Sequence, residues 1–98
     1  MNLIRSEYVS DPDYEELIAD FVSAMPERVA ELLTAIEGRD FDELKRKAHQ
    51  LKGAGGGYGF PEMTTIAAQV ESACRENRIP DVLDQTAALV DYLRRVSV

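Results

Sequence analysis

The chain has 98 residues, of which 45% are apolar, enough for one domain around one modest core. A formal net charge of −7 argues against nucleic acid or an anionic membrane as a general partner. No stretch has the apolar length of a membrane span or a signal peptide, which predicts a cytoplasmic protein. One cysteine, Cys74, permits neither an internal disulfide nor a cysteine metal cluster.

In chain order, Asp11-Pro12 supplies an N-cap with proline at the first helical position. Tyr14, Leu17, Ile18, Phe21 and Val22 then recur at helical spacing, and Pro26 kinks or restarts this helix. Val29, Leu32, Leu33 and Ile36 form the next stripe, which Gly38 terminates. Asp40 opens a third helix, with Glu43 three residues on in a capping-box arrangement. Pro61 opens a fourth, carrying Met63, Ile66, Ala67, Val70 and Ala73, and Asn77 and Pro80 bracket a turn. Val82, Leu83, Leu89, Val90 and Leu93 line the last helix. Almost nothing reads as strand, and the connections are short. The expected fold is all-α: an antiparallel up-down four-helix bundle with a short additional N-terminal helix, as one domain over residues 1–98.

The third helix contains an anomaly. "AHQLKGAGGGYGF", residues Ala48 to Phe60, holds the only histidine, His49, followed by five of the six glycines within seven positions. Glycine costs a helix interior roughly 1 kcal/mol against alanine, so several are a large cost for a small domain. On a wheel of about 100° per residue with His49 at zero, Phe41, Leu44, Ala48, Leu51, Gly55 and Tyr58 define a core direction near about −130°. His49 therefore points to solvent. Lys45, Lys52, Gly53 and Gly56 lie within about 60° of it, and Gly57 widens the bare strip. Side chains lean toward a helix N-terminus, so bare positions after His49 expose its imidazole to a partner that lies flat. Gly55, facing the core, lets a neighbouring helix approach.

Other readings of the run fit less well. A Walker-type loop needs a lysine after its last glycine, and a dinucleotide-binding loop needs glycine at Tyr58 or Phe60 and a preceding strand. A flexible linker is the minority case, because Leu51 and Tyr58 continue the core stripe on either side. No second histidine completes a metal site, and nothing marks a Ser-His-Asp triad. A small bundle offers little concavity for a small molecule.

Lys45, Arg46, Lys47 and Lys52 gather four of the eleven basic residues around His49; the other 7 stand against 18 acidic ones, a balance of −11. One chemistry needs a single exposed histidine and no pocket: acceptance of a phosphoryl group on an imidazole nitrogen. Lys52, one turn on, can neutralise phosphoryl oxygens, and Lys45 can assist from the other side. Phosphoryl transfer rests mainly on positioning and charge neutralisation, which a docking partner can complete.

His49-Gln50-Leu51-Lys52-Gly53, followed by small residues and by Gly56 and Gly59, resembles the signature of histidine-containing phosphotransfer (HPt) domains. The resemblance extends through "MPERVAELLTAIEGRDFDELKRKAHQLKG" and "GFPEMTTIAAQVESAC", nearly the whole chain. It implies a four-helix bundle that relays phosphoryl groups between aspartates of response-regulator receiver domains, one of them often fused to a hybrid histidine kinase. Carried over, His49 is the phosphoacceptor, Lys52 its charge partner, and Gly53 and Gly56 the small positions that admit the partner; Lys45, from its charge and place on the wheel, is expected to join them in docking. No cofactor and no metal are expected. Gly55-Gly56-Gly57 in a row departs from common members and is expected to loosen the helix. No ATP-binding domain is present, so the expectation is a monomeric phosphorelay intermediate without autokinase activity. Met1 and the match of chain length to domain length favour a free protein. The alternatives are a helical adaptor that binds receivers without carrying phosphate, and the phosphoacceptor module of a larger chemotaxis-type kinase.

Overall fold

The computed structural model describes residues 2–98. Five helices follow one another: α1 (Glu15–Ser23), α2 (Met25–Glu37), α3 (Phe41–Gly57), α4 (Pro61–Arg75) and α5 (Ile79–Arg95). They form a helical bundle in which α3 and α4 pack most closely, and among the described residues no helix is long and apolar enough to cross a membrane. A single 3-10 turn, Pro12–Tyr14, precedes α1, and the Asp11 side chain caps it by accepting from the Asp13 N–H at 3.0 Å. Pro26 restarts the chain rather than kinking one helix. It sits in the first turn of α2, where its missing N–H is not needed.

Three helices end in the same way. After α2, α3 and α4 a left-handed residue reverses the chain, and the three N–H groups that follow each helix bond back to its last carbonyls. The left-handed residues are Arg39 (φ 53°), Gly59 (φ 85°) and Asn77 (φ 54°). Gly38, read from sequence as the stop of α2, keeps a right-handed φ of −82° and merely precedes the reversal at Arg39. The tight reversal also alters the expected capping box. The Asp40 side chain does accept from the Glu43 N–H at 3.1 Å. The Asp40 N–H, however, is already bonded to the Ala35 carbonyl at 2.9 Å, so Glu43 turns to Arg46 at 2.6 Å.

The chain does contain strand: Ile4–Arg5 (β1) and Val96–Ser97 (β2) form a two-residue parallel pair, Ile4 opposite Val96, that ties the two ends of the chain together. Two-residue strands are too short to show alternation, and the pairing spans almost the whole sequence. From β1 the chain runs onto the end of α3. The Ser6 hydroxyl donates to the Tyr58 carbonyl at 2.6 Å, and the Glu7 N–H donates to the Gly59 carbonyl at 2.9 Å. Glycine is required at 59 twice over, because a Cβ would also strike the Ser6 hydroxyl and the Glu7 nitrogen.

The core takes Leu32 from α2, Leu44 and Ala48 from α3, Met63, Ala67 and Val70 from α4, and Val82 and Leu89 from α5, all fully buried, together with Phe60, equally buried in the α3–α4 connection. Three residues read as core are not. Leu17 is 50% exposed, and Leu33 and Leu83 are 39% exposed. In α2 the inward positions are Met25, Val29, Leu32 and Ala35; in α5 the inward stripe runs through Thr86, whose polar side chain hides it from a hydrophobic pattern.

Candidate functional site

The inward residues of α3, Leu44, Ala48, Leu51 and Gly55, are buried, which fixes its rotation and turns His49 outward with its side chain 66% exposed. The helix is unbroken through Gly57, so Gly53, Gly56 and Gly57 lie on its exposed surface as helical residues, not in a loop. A Cβ at Gly53 or Gly57 would meet nothing within 4 Å, and one at Gly56 only the Thr64 hydroxyl at 3.6 Å. Gly55 differs. There a Cβ would come within 2.9 Å of the Thr64 hydroxyl and 3.0 Å of the Met63 Cβ and the Phe60 carbonyl oxygen. The run therefore serves two faces: bare surface beside His49, and close approach of α4 behind it.

His49 is not isolated. Its Nδ1 lies 2.7 Å from Glu71 Oε2 on α4, while the other oxygen of that carboxylate accepts from Lys52 Nζ at 2.6 Å. Arg75, one turn beyond Glu71, stands 3.6 Å from Oε2. Glu71 itself is only 7% exposed, a carboxylate placed where it needs its partners. The Lys52 hydrogen bond holds the Glu71 carboxyl below its ordinary range, against the desolvation that burial imposes, and the His49 hydrogen bond adds to the effect. An ionised carboxylate can only accept, so the bond to Nδ1 requires the proton on Nδ1. In the neutral imidazole the free lone pair is then on Nε2, on a side chain that is 66% exposed.

The four basic residues around His49 do not form one positive patch. Arg46 makes a two-pronged pair with Glu43, at 2.6 and 3.1 Å, and Lys47 reaches across to Glu31 on α2. Lys52 is bound to Glu71. Lys45, half-buried, joins no ion pair among the described residues and is the free cation of the group. The positive spot of the sequence is largely balanced by Glu31 and Glu71, contributed by other helices. Of the predicted site residues, His49 and Lys52 are brought together by Glu71, Gly53 and Gly56 flank them, and Lys45 stands apart, in no ion pair among the described residues.

Sequence reasoning missed Glu71, Thr64 and Arg75. Glu71 left a trace: it follows Ala67 by four residues and precedes Cys74 by three, a charged residue on the inward stripe of α4. Thr64 left none. Its hydroxyl accepts from the Gly56 N–H at 2.9 Å and donates to the Lys52 carbonyl at 2.8 Å, so a side chain of α4 is seated on the backbone of α3. The bundle also has more concavity than expected. An apolar hollow of about 240 Å³ lies on the other flank of α3, bounded by Phe21, Met25, Leu32, Leu51 and Tyr58, and His49 is not among its lining residues.

No individual curated protein and no solved structure matches the chain significantly. The family model of the Hpt domain does match, over residues 16–97, a span that includes α2 to α5 whole and every residue of the site just described. The chain belongs to the Hpt domain family, the histidine phosphotransfer domains of two-component signalling.

Proposed function

We propose that this protein is a phosphorelay intermediate in which His49 accepts a phosphoryl group from the aspartyl phosphate of one receiver domain and delivers it to the aspartate of another. The observation that carries this reading is the 2.7 Å contact of Nδ1 with a buried carboxylate beneath an exposed ring. It leaves Nε2 as the nucleophile. The Nε2 lone pair attacks phosphorus, the N–P bond forms as the P–O bond to the aspartate breaks, and the carboxylate leaves with the electron pair. The imidazole keeps its proton on Nδ1, and Glu71 neutralises the positive charge that develops on the ring. In the second transfer an aspartate oxygen attacks phosphorus and the N–P bond breaks.

Lys52 has three N–H donors; one is engaged by Glu71, and another can meet a phosphoryl oxygen. Lys45 adds a second cation at the rim. Gly53 and Gly56 leave room for a receiver to lie against α3. The remaining charge neutralisation, including any metal ion, comes with the partner. The reading includes a hybrid histidine kinase and a response regulator as partners, an antiparallel up-down bundle preceded by a short N-terminal helix, a monomer working in the cytoplasm, and no autokinase activity.

The test is His49→Gln with a phosphorylated receiver domain as donor. The wild-type protein should gain acid-labile, alkali-stable phosphate, and the variant none, with a melting curve close to wild type because the side chain is exposed. Appreciable acid-labile phosphate on the variant would remove His49 from the role. Stable binding of receivers without phosphate uptake by the wild type would make the protein an adaptor.

A further inference from the structure

We infer that Thr64 is a positioning residue for His49: by pinning α4 to the backbone of α3 it sets the register that brings Glu71 against the imidazole. Gly56 N–H and Lys52 C=O are partners four residues apart in the α3 hydrogen-bond ladder, and the Thr64 hydroxyl bonds to both, at 2.9 and 2.8 Å. A hydroxyl that accepts from one and donates to the other fixes both the height and the rotation of α4 at that point. Gly55 is the space it needs, since a Cβ there would stand 2.9 Å from the hydroxyl oxygen.

The second crossing follows from the first. His49 precedes Gly56 by seven residues, and Glu71 follows Thr64 by seven. Seven residues are about two helical turns, roughly 10.5 Å of rise with about 20° of rotation left over, so both crossings lie on the same facing strips. A slip of one residue at Thr64 would move Glu71 by about 1.5 Å along the axis and about 100° around it, more than a 2.7 Å hydrogen bond survives. Lys52 is held at both ends by α4, its carbonyl by Thr64 and its ammonium by Glu71. The assignment of a catalytic consequence rests on the reading of His49 as phosphoacceptor; the geometric consequence does not.

The experiment compares Thr64→Val, which keeps the shape and removes the hydroxyl, with Thr64→Ser, which keeps the hydroxyl. Nitrogen-15 spectra of the single imidazole, taken in mildly alkaline buffer, report which ring nitrogen carries the proton. Wild type and Thr64→Ser should show the proton on Nδ1. Thr64→Val, folded by circular dichroism, should show a mixture of tautomers and be labelled by phosphoramidate about ten- to a hundredfold more slowly, the scale of an ångström of misplacement. If Thr64→Val does not fold, Thr64→Ala against Thr64→Ser gives the same comparison. A folded variant without the hydroxyl that keeps the wild-type tautomer and labelling rate overturns the inference. A wild type that takes no phosphate overturns the relay reading instead, and leaves the tautomer comparison to decide the role of Thr64.

Discussion

Gly53, Gly55 and Gly57 stand within five residues of one helix, yet alanine should act on them in opposite directions. At Gly53 and Gly57 an added Cβ meets nothing within 4 Å, so the change carries only the helix-propensity gain of up to about 1 kcal/mol. For a domain of this size that is a rise in melting temperature of roughly 4–8 °C. At Gly55 the same methyl meets three atoms at 2.9–3.0 Å, two of them on the Met63 Cβ and the Phe60 backbone, which cannot swing aside. Overpacking costs about 1–3 kcal/mol, which cancels or exceeds the propensity gain. Function should run the other way. Position 53 is one turn from His49, about 5–6 Å between Cβ atoms, and its side chain would lean back over the ring. Gly53→Leu should fold, accept phosphate from phosphoramidate, and receive it from a phosphorylated receiver roughly ten- to a hundredfold more slowly, the rate equivalent of a contact misfit of about 1–3 kcal/mol. Thermal melts and two-donor transfer assays read both halves. Normal transfer from a receiver to Gly53→Leu, or a lower melting temperature for Gly53→Ala, would refute the view that this strip is kept bare for access.

Lys52→Ala should slow transfer by about ten- to a hundredfold without abolishing it, the scale of a lost charge-assisted hydrogen bond of roughly 1.5–3 kcal/mol; unchanged transfer in both directions would leave Lys52 only the task of neutralising Glu71. Acid should act on the same carboxylate. Because the folded protein holds Glu71 below its ordinary value of 4.5, chiefly through Lys52, the unfolded chain binds more protons in that range and stability rises with pH there. Glu71's contribution is thus complete above about pH 4.5 and is lost as the pH falls through the lowered folded value. Urea unfolding across this range should show wild type converging toward Glu71→Gln on acidification, and parallel curves would show that the carboxylate is not stabilised by its partners.

The wheel of α3 was readable because its inward residues are apolar, closely spaced and uninterrupted: Leu44, Ala48 and Leu51 fix the rotation, and the exposure of His49 follows. The same logic erred at Leu33 and Leu83, where leucines flank the inward stripe instead of lying on it, and at Thr86, where the stripe passes through a hydroxyl. Gly38 misled because glycine marks a left-handed position only by preference; the chain reversal between α2 and α3 falls one residue later, on Arg39. The network around the histidine was hidden for a different reason. Glu71 lies 22 residues from His49 and Glu31 sits on another helix from Lys47, so the charges that offset the basic cluster are neighbours only in space.

A helix with glycine at four of its last five positions should fray, and α3 does not end until Gly57. What holds it lies at the ends of the run and along one side. Beyond the run, the Tyr58 ring stacks on Phe21 with centroids 4.2 Å apart, Phe60 is fully buried, and the Tyr58 and Gly59 carbonyls accept from Ser6 and Glu7 of the N-terminal segment. Along the side, the Thr64 hydroxyl grips Gly56 and Lys52, and the space left by Gly55 admits it. The propensity lost to the glycines, about 1 kcal/mol each, is therefore offset by tertiary contacts made from the rear and the C-terminal end. The front is left with no side chain between the backbone and solvent. A surface leucine or lysine at these positions would have stabilised the helix locally and covered the imidazole. The fold instead moves the stabilisation to the rear face of α3, against α4 and the N-terminal segment, which is how a continuous helix and an exposed imidazole can occupy the same few residues.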